Sequence, residues 1–278
     1  MTRRRLLASA AAMPLGRAAE SKPMRLSTSS LLFWQSSIKE ACRRIAKLGF
    51  EGVDIWSAFA HCTHLEQAKA ELGAAGTRKL LAETGLDLTA ITVYWSGYEP
   101  FAPMLHDMGG GLVVRNSEAT EKPSSSVTAN LKVFLESLKP EIELAERYNG
   151  RIAVENHSSP TRLLNRLDSF KAFVDLNHSP RVGIALAPYH IQRNEESVEE
   201  VIRACGKQLW FVYAWQLGKL TEQLPGIGPA DFRPWVEALR SIGYTGYLNV
   251  FMHGEIEPTE MEAALARSVR YLKAMAPA

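Results

Sequence analysis

Cysteine is scarce in this chain of 278 residues, which contains only Cys42, Cys62 and Cys205. An odd number of cysteines without CxxC spacing indicates neither a disulfide framework nor a thiolate zinc site. We therefore expect three free thiols.

An excess of charge of one sign is also lacking, because 32 lysines and arginines face 30 aspartates and glutamates. The formal charge of +2 is too small for a strong phosphate-neutralising surface unless the charges cluster. The remaining composition is that of an ordinary globular protein, which excludes a disordered, collagen-like or coiled-coil chain. No nucleic-acid partner is expected.

Long apolar runs are missing too, and the apolar stretch at residues 6–15 is only about ten residues long, whereas a membrane-spanning helix needs about 20. Three consecutive arginines, Arg3 to Arg5, precede this stretch, and small residues around Ala19 follow it. This order is typical of a secretory signal. Residues 1–20 are predicted to be an export signal peptide of the twin-arginine type. A disordered basic tail or a lipid-surface anchor is the alternative.

The predicted leader implies a partner and a location. It makes the chain a client of the twin-arginine export machinery and places the mature protein in the periplasm or outside a bacterial cell. No stable membrane span is expected. A protein that folds before export need not depend on disulfides, in agreement with the low cysteine count.

From Met24 onward, short β-branched or aromatic runs alternate with longer segments of helical period, which is typical of repeated βα units. Eight such runs, without a glycine-rich phosphate loop after the first, favour an α/β fold with a single (β/α)8 TIM barrel over residues 24–276. The predicted strands are Met24–Ser29, Gly52–Trp56, Leu88–Trp95, Leu112–Asn116, Arg151–Asn156, Val182–Ala187, Leu209–Gln216 and Tyr247–Phe251.

Apolar residues three and four positions apart predict the helices between these strands. Gly49, Gly85, Gly150 and Gly243 follow helical patterns, at positions where a left-handed cap is expected. The low-complexity segment at residues 117–126 is predicted to be the loop after the fourth strand. Two predicted apolar faces are Ile38, Ala41, Cys42, Ile45 and Leu48, and Leu131, Phe134, Leu135, Leu138, Ile142 and Ala145.

Several motifs follow one another in a recognisable order. Residues 47–55 read KLGFEGVDI, residues 154–157 read VENH and residues 182–190 read VGIALAPYH. Residues 224–232 read LPGIGPADF and precede IGYTGY at residues 242–247. In order and spacing these motifs resemble the xylose isomerase-like TIM-barrel family of sugar and sugar-phosphate isomerases and epimerases. The resemblance covers nearly the whole chain after the leader and implies a sugar substrate.

The resemblance also implies a divalent metal site at the carboxyl ends of four strands, where family members carry Glu, Asp, His and Glu. Carboxylates with one imidazole suit Mn²⁺, Mg²⁺, Co²⁺ or Zn²⁺. Here Glu155 stands at the strand-five position, but Ala187, Tyr213 and Phe251 stand at the other three. We expect a degenerate metal site in which Glu155 is the remaining catalytic carboxylate. Two alternatives remain open for the cofactor: a divalent metal bound at Glu155, or no cofactor.

Other polar and aromatic residues at the predicted strand ends are expected to bind the substrate. His157 and His190 match histidines that contact the substrate or support the ligands in the family, with capping or solvent-facing positions as the alternative. Aromatic rings stack on the apolar faces of sugars, although ordinary barrel packing would also explain them. The remaining predicted substrate-binding residues are Trp56, Tyr94, Tyr213, Trp215 and Asn249.

A further polar cluster follows the second predicted strand. His61 and His64 have HxxH spacing, with Cys62 between them. Both histidines are predicted to bind the sugar by hydrogen bonding or to cap a helix. A displaced metal site in which the two imidazoles join Glu155 is the alternative.

Two functions remain open from these residues. The first is a sugar isomerase or epimerase that works by proton transfer. The second is a non-catalytic, exported carbohydrate-binding barrel. DNA cleavage is not expected, because it needs a multi-metal cluster and a basic track that the sequence does not show.

Overall fold

The computed structural model describes residues 24–117 and 126–275. The predicted leader, residues 1–20, lies outside the described residues, as do residues 118–125 of the low-complexity segment. That segment joins the fourth strand to the next helix, as its composition predicted.

Eight parallel strands close into a barrel in which each strand pairs with the next along the chain and the eighth pairs with the first. Helices follow the strands and cover the outside, so the predicted (β/α)8 TIM barrel is confirmed. The strands are β1 (Arg25–Ser29), β2 (Gly52–Trp56), β3 (Asp87–Thr92), β4 (Gly111–Asn116), β5 (Gly150–Glu155), β6 (Val182–Leu186), β7 (Leu209–Ala214) and β8 (Tyr247–Val250).

Several strands end earlier than their composition predicts. β3 stops at Thr92 rather than Trp95, and β7 stops at Ala214 rather than Gln216. The aromatic residues that follow have the composition of a strand, but they lie where the chain bends away from its neighbours at the barrel mouth. A strand ends when its backbone loses ladder partners, and this loss is not visible in local composition.

The helices lie between the strands, with short 3₁₀ helices at Ser30–Phe33, Glu99–Phe101, Gly206–Gln208 and Leu220–Gln223 and a π-helix at Ala68–Leu72. Within the described ranges, no helix is long and apolar enough to cross a membrane. The α-helices are α1 (Ile38–Lys47), α2 (His64–Gln67), α3 (Gly73–Thr84), α4 (Ala102–Asp107), α5 (Val127–Ser137), α6 (Lys139–Arg147), α7 (Leu167–Leu176), α8 (Pro188–Arg193), α9 (Val198–Cys205), α10 (Arg233–Ser241) and α11 (Pro258–Lys273).

The two predicted apolar faces have different outcomes. The face of α1 is buried, and the Ser37 side chain caps the helix by accepting a hydrogen bond from the backbone N–H of Glu40 at 3.3 Å. The second face is divided between α5 and α6, which meet at Leu138. Pro140 lies in the first turn of α6, where its missing N–H costs no hydrogen bond. In one continuous helix through this position, the same proline would remove a backbone hydrogen bond.

The glycine caps are confirmed at positions 49, 85 and 243, where φ lies between +67° and +86°. The cap prediction for Gly150 is wrong, because this residue belongs to β5 and the left-handed residue is Asn149, with φ +53°. Gly150 is needed for a different reason. A Cβ atom there would collide with the hydroxyl of Tyr98, which packs against the strand.

The three cysteines are free and buried in the core, as their number predicted. Burial raises the pKa of the Cys42 and Cys62 thiols to about 12. These groups are therefore neutral at physiological pH and act as small packing residues.

Candidate active site

A cavity of about 660 Å³ opens at the carboxyl ends of the strands. Catalytic residues of TIM barrels gather at this end, because the loops that follow the strands converge there. The wall combines a carboxyl group, imidazoles, aromatic rings and two guanidinium groups. These belong to Glu155, His157, His190, His253, Tyr94, Trp95, Tyr189, Trp215, Arg162 and Arg193.

Glu155 is the last residue of β5, and its carboxyl group is almost completely buried although it borders the cavity. The hydroxyl of Tyr94, which follows β3, donates a hydrogen bond to Glu155 Oε2. Burial raises the pKa of Glu155 to about 8, the negative charge of Asp54 adds to the increase, and the bond from Tyr94 limits it. Glu155 can therefore both hold and release a proton near neutral pH.

Asp54 is a second buried carboxylate, and the sequence analysis did not identify it as a site residue. It lies on β2 and accepts hydrogen bonds from Ser29 Oγ at 2.8 Å, Thr92 Oγ1 at 2.8 Å and Trp56 Nε1 at 2.5 Å. Burial raises its pKa to about 7, and the three donors oppose this increase. A charged residue inside a fully buried strand was the signal that could have revealed it.

Asn249 lies in the same polar layer inside the barrel rather than in the lining of the cavity. Its Nδ2 atom donates to Ser29 Oγ at 2.8 Å, and its Oδ1 atom accepts from Ser27 Oγ at 2.9 Å. Asn249 is thus linked to Asp54 through a shared serine. It supports the Asp54 network by hydrogen bonding.

Some of the predicted sugar-stacking rings lie beneath the cavity. Trp56 is fully buried and stacks on Phe251, with ring centroids 5.3 Å apart and an interplanar angle of 13°. Tyr213 is also buried and packs against Phe251 at 5.0 Å. Neither Trp56 nor Tyr213 lines the cavity. These rings form the apolar layer on which the contacting residues rest.

Other rings form the wall itself. Trp215 stacks on Tyr189 with centroids 4.3 Å apart and an interplanar angle of 8°, and its Nε1 atom donates to Gln223 Oε1 at 2.7 Å. Trp95 is 72% exposed at the rim, while its neighbour Tyr94 points to Glu155.

Three imidazoles line one side of the cavity. The rings of His157 and His190 lie 4.3 Å apart, and His190 Nδ1 is 3.1 Å from Ser158 Oγ. His253, after β8, packs against Trp215 at 5.0 Å. Burial lowers the pKa of His190 to about 3 and that of His253 to about 4. Both rings are therefore neutral at physiological pH, so each offers one N–H donor and one nitrogen acceptor.

The architecture is shared with known proteins. A model of the xylose isomerase-like TIM-barrel family matches residues 42–275. The chain belongs to this family. Among curated proteins, inosose isomerase from Bacillus subtilis (strain 168) is 25% identical over 116 residues. That match spans 39% of this chain and 42% of the relative.

Solved structures of the same fold are similar over most of the xylose isomerase-like barrel. The 3-keto-D-glucoside 4-epimerase YcjR from E. coli has a TM-score of 0.70 and 20% identity, with 90% of this chain and 99% of that chain covered. A D-psicose 3-epimerase has a TM-score of 0.72 and 17% identity, with 91% and 99% covered. The IOLI protein with a bound zinc atom has a TM-score of 0.73 and 17% identity, with 91% and 98% covered.

The resemblance assigned the family's four metal-ligand positions to Glu155, Ala187, Tyr213 and Phe251. Glu155 ends β5 and Tyr213 lies in β7, while Ala187 and Phe251 directly follow β6 and β8. In the part of the chain that the structure describes, no group of three or more His, Cys, Asp or Glu side chains is arranged to hold a metal ion.

The two histidines of the HxxH motif lie outside the cavity lining. His64 is buried at the start of α2, with its Nε2 atom 2.9 Å from the carbonyl oxygen of Ser36. His61 is exposed and packs against the ring of Trp34 at 5.2 Å. The structure therefore does not bring them together with Glu155.

Three basic side chains that line the cavity, those of His253, Arg162 and Arg193, are absent from the predicted site. Arg162 lies in the loop after β5 and Arg193 ends α8. Their position in βα loops at the barrel mouth was the available signal.

Proposed function

We propose that this protein binds a carbohydrate in the cavity and moves a proton at a carbon next to the sugar carbonyl group. The observation that carries this proposal is the buried carboxyl group of Glu155, which borders the cavity and accepts a hydrogen bond from Tyr94. A pKa near the working pH is favourable for a group that must first take and then return a proton. The sugar isomerase and epimerase relatives support the substrate class.

The proposed step begins with ionised Glu155. Its carboxylate removes the proton from the carbon next to the carbonyl group, and the electron pair of the broken C–H bond forms the double bond of an enediolate. The protonated Glu155 then returns the proton to the former carbonyl carbon, while the hydroxyl proton of the adjacent carbon passes to the former carbonyl oxygen, so that the carbonyl group moves by one carbon. Neutral His157 or His190 donates a hydrogen bond to the developing oxyanion, as neutral imidazoles do in other proton-transfer enzymes.

One carboxyl group favours isomerisation over epimerisation. An isomerisation can take the proton from one carbon and return it to the next on the same face of the sugar. An epimerisation inverts one carbon, so a second acid is needed on the opposite face. The position of the family's second Glu is occupied by Phe251, which has no exchangeable proton.

We propose that the metal site is degenerate. Divalent ions need several oxygen or nitrogen ligands, whereas Ala187 and Phe251 have hydrocarbon side chains and Tyr213 is a buried phenol. A single carboxyl group at Glu155 does not fit such an ion. The proposed steps accordingly use only the side chains of this chain.

Proton transfer is tested by incubating the protein in deuterium oxide with a panel of aldoses, ketoses and inososes. Incorporation of deuterium next to the carbonyl group is expected for the wild type and for the control Glu143→Gln, which changes an exposed carboxyl group on α6. Glu155→Gln is expected to lose incorporation. Full incorporation by Glu155→Gln would remove this residue from its proposed role.

A second candidate function is a non-catalytic, exported carbohydrate-binding barrel. The stacked rings of Tyr189 and Trp215 in the wall favour it, because they would hold a sugar without any chemistry. Thermal shifts with sugars, together with metal analysis after dialysis, separate the two functions. Stabilisation by a sugar that exchanges no deuterium would favour binding alone, whereas a stoichiometric metal would contradict the degenerate site.

We also propose that residues 1–20 direct export by the twin-arginine machinery. The consecutive arginines of this segment support export, although they lie outside the described residues. Replacement of Arg3 and Arg4 by lysine is expected to hold a bacterially expressed chain in the cytoplasm. Export of that variant at the wild-type level would contradict the proposal.

A further inference from the structure

The cavity that contains Glu155 has an unequal distribution of charge. Arg162 and Arg193 line it, and Glu155 is the only acidic side chain of the described residues that does so. Two guanidinium groups face a single carboxyl group, so positive charge predominates in the wall. A cavity of one sign concentrates ligands of the opposite sign.

Hydrogen bonds through Ser117 link Arg162 to the end of β5, where Glu155 lies. The Nη1 atom of Arg162 donates to the carbonyl oxygen of Ser117 at 2.7 Å. The backbone N–H of Ser117 in turn donates to the carbonyl oxygen of Glu155 at 3.0 Å. The half-buried guanidinium group of Arg162 is therefore fixed relative to Glu155, with several of its N–H groups still available.

Arg193 approaches from the end of α8 and is more exposed. Its Nη1 atom lies 3.4 Å from the hydroxyl of Tyr189, whose ring is stacked on Trp215. The positive charges of Arg162 and Arg193 both act on the imidazole of His157, which lines the same cavity.

Neither guanidinium group has an acidic partner among the residues that the structure describes. Across residues 24–117 and 126–275, Arg162 and Arg193 make their hydrogen bonds to a carbonyl oxygen and a hydroxyl group, and no carboxylate pairs with either. By contrast, Arg115 at the same end of the barrel pairs with Glu141. Two cations that share a cavity without a counter-ion are suited to bind an anionic ligand.

We propose that Arg162 and Arg193 form a subsite for an anionic substituent of the carbohydrate, so that the substrate is a sugar carrying a carboxylate or a phosphate ester. This inference rests on the proposed function, because it places the sugar ring beside Glu155. The planar guanidinium fork fits the oxygens of either anion. The two anions share this chemistry, and the experiment separates them.

Isothermal titration calorimetry with glucose, glucuronate, glucose 6-phosphate and inorganic phosphate tests the subsite. At least one anionic sugar is expected to bind about tenfold or more tightly than glucose, since hydrogen bonds to charged groups are the stronger ones. Arg162→Gln and Arg193→Gln are each expected to weaken that binding by about tenfold and to change glucose binding by much less. The relative affinities of glucuronate and glucose 6-phosphate identify the anion.

Arg203→Gln is the matched control, because it removes the same charge from an exposed position on α9, away from the cavity. It is expected to bind every probe like the wild type. Arg162→Lys keeps the charge without the planar fork, and it is expected to bind the anionic sugar with intermediate affinity. This variant and the exposed Arg193→Gln test the subsite even where Arg162→Gln fails to fold.

Equal binding of glucose and both anionic sugars would overturn the subsite, as would the failure of both anionic sugars to bind. Equal binding of inorganic phosphate and glucose 6-phosphate would overturn the assignment to a carbohydrate. Deuterium exchange of neutral sugars at a rate that neither arginine substitution changes would overturn the subsite and leave the proposed proton transfer standing. Arginine-dependent binding of an anionic sugar without deuterium exchange would overturn the proposed proton transfer alone.

Discussion

The hydroxyl of Tyr94 donates a hydrogen bond to the buried carboxyl group of Glu155, although the two residues lie 61 positions apart in sequence and at the ends of strands that are two places apart in the barrel. The bond favours the ionised form of Glu155, while burial favours the protonated form. Burial and the charge of Asp54 therefore raise the proton affinity of the proposed catalytic group, and the hydrogen bond from Tyr94 lowers it.

Tyr94→Phe removes this hydrogen bond and leaves burial unchanged. Because the lost bond favoured the charged form, we expect the pKa of Glu155 to rise by about one unit. An NMR titration of labelled glutamate carboxyl groups measures the shift without requiring activity. Tyr148→Phe, on the edge of α6, is the control and should leave the titration unchanged. A lower pKa in Tyr94→Phe would contradict the proposed balance.

The stability of the protein should fall as the pH rises from 6.5 to 8. The folded-state pKa of Glu155, about 8, lies above its usual value of 4.5, so the folded state binds more protons in this interval than the unfolded state. Denaturant unfolding at several pH values is expected to show a shallower fall for Glu155→Gln. Asp54 retains a contribution of the same sign. An unchanged slope, equal to that of the exposed control Glu143→Gln, would refute the assignment.

On the acid side the histidines have the opposite effect. The pKa values of His190 and His253 are lowered to about 3 and 4, so the unfolded chain binds more protons between the usual value of 6.5 and these values. These groups therefore cost stability as the pH falls from 6.5 to 4. A His190→Gln, His253→Gln double variant should lose less stability than the wild type over this range. The exposed His178→Gln should follow the wild type.

Asp54→Asn should destabilise the protein by about 1–3 kcal/mol. The amide keeps only one acceptor oxygen for the donors of Ser29, Thr92 and Trp56, and its NH₂ group faces other donors. Because the charge of Asp54 raises the pKa of Glu155, the variant should also lower that pKa. Chemical unfolding and the carboxyl titration measure the two effects. A fully stable variant with an unchanged titration would show that Asp54 is not coupled to the site.

Much of the architecture could be predicted from local patterns. The helical and extended periods identified all eight strands, and the glycine caps at 49, 85 and 243 followed from the need for positive φ. Strand ends were less predictable, since the residues from Tyr94 to Trp95 keep a strand-like composition after the ladder of β3 has ended. The sequence pattern reflects the preference of individual side chains for a strand, whereas the residue at which a strand ends depends on pairing with the neighbouring strand.

The candidate site could be predicted only in part. Glu155 ends its strand, as its motif indicated, and His157, His190, Tyr94 and Trp215 line the cavity. By contrast, His61 and His64 lie outside the lining of the cavity that contains Glu155. The backbone after β2 turns the His64 side chain towards the carbonyl oxygen of Ser36. The direction of a loop side chain depends on the packing of that loop, which sequence spacing does not contain.

The sequence by itself determined the barrel, the aromatic character of its mouth and the hydrocarbon residues Ala187 and Phe251 at two strand ends, because each of these depends on residue type and local period. Tertiary structure alone decided which groups meet. It joined Asp54 to Ser29 and Thr92 across three strands, and it brought Arg162 and Arg193 to one cavity. The physical reason is that strand stagger and closure of the barrel set the distance between residues far apart in the chain.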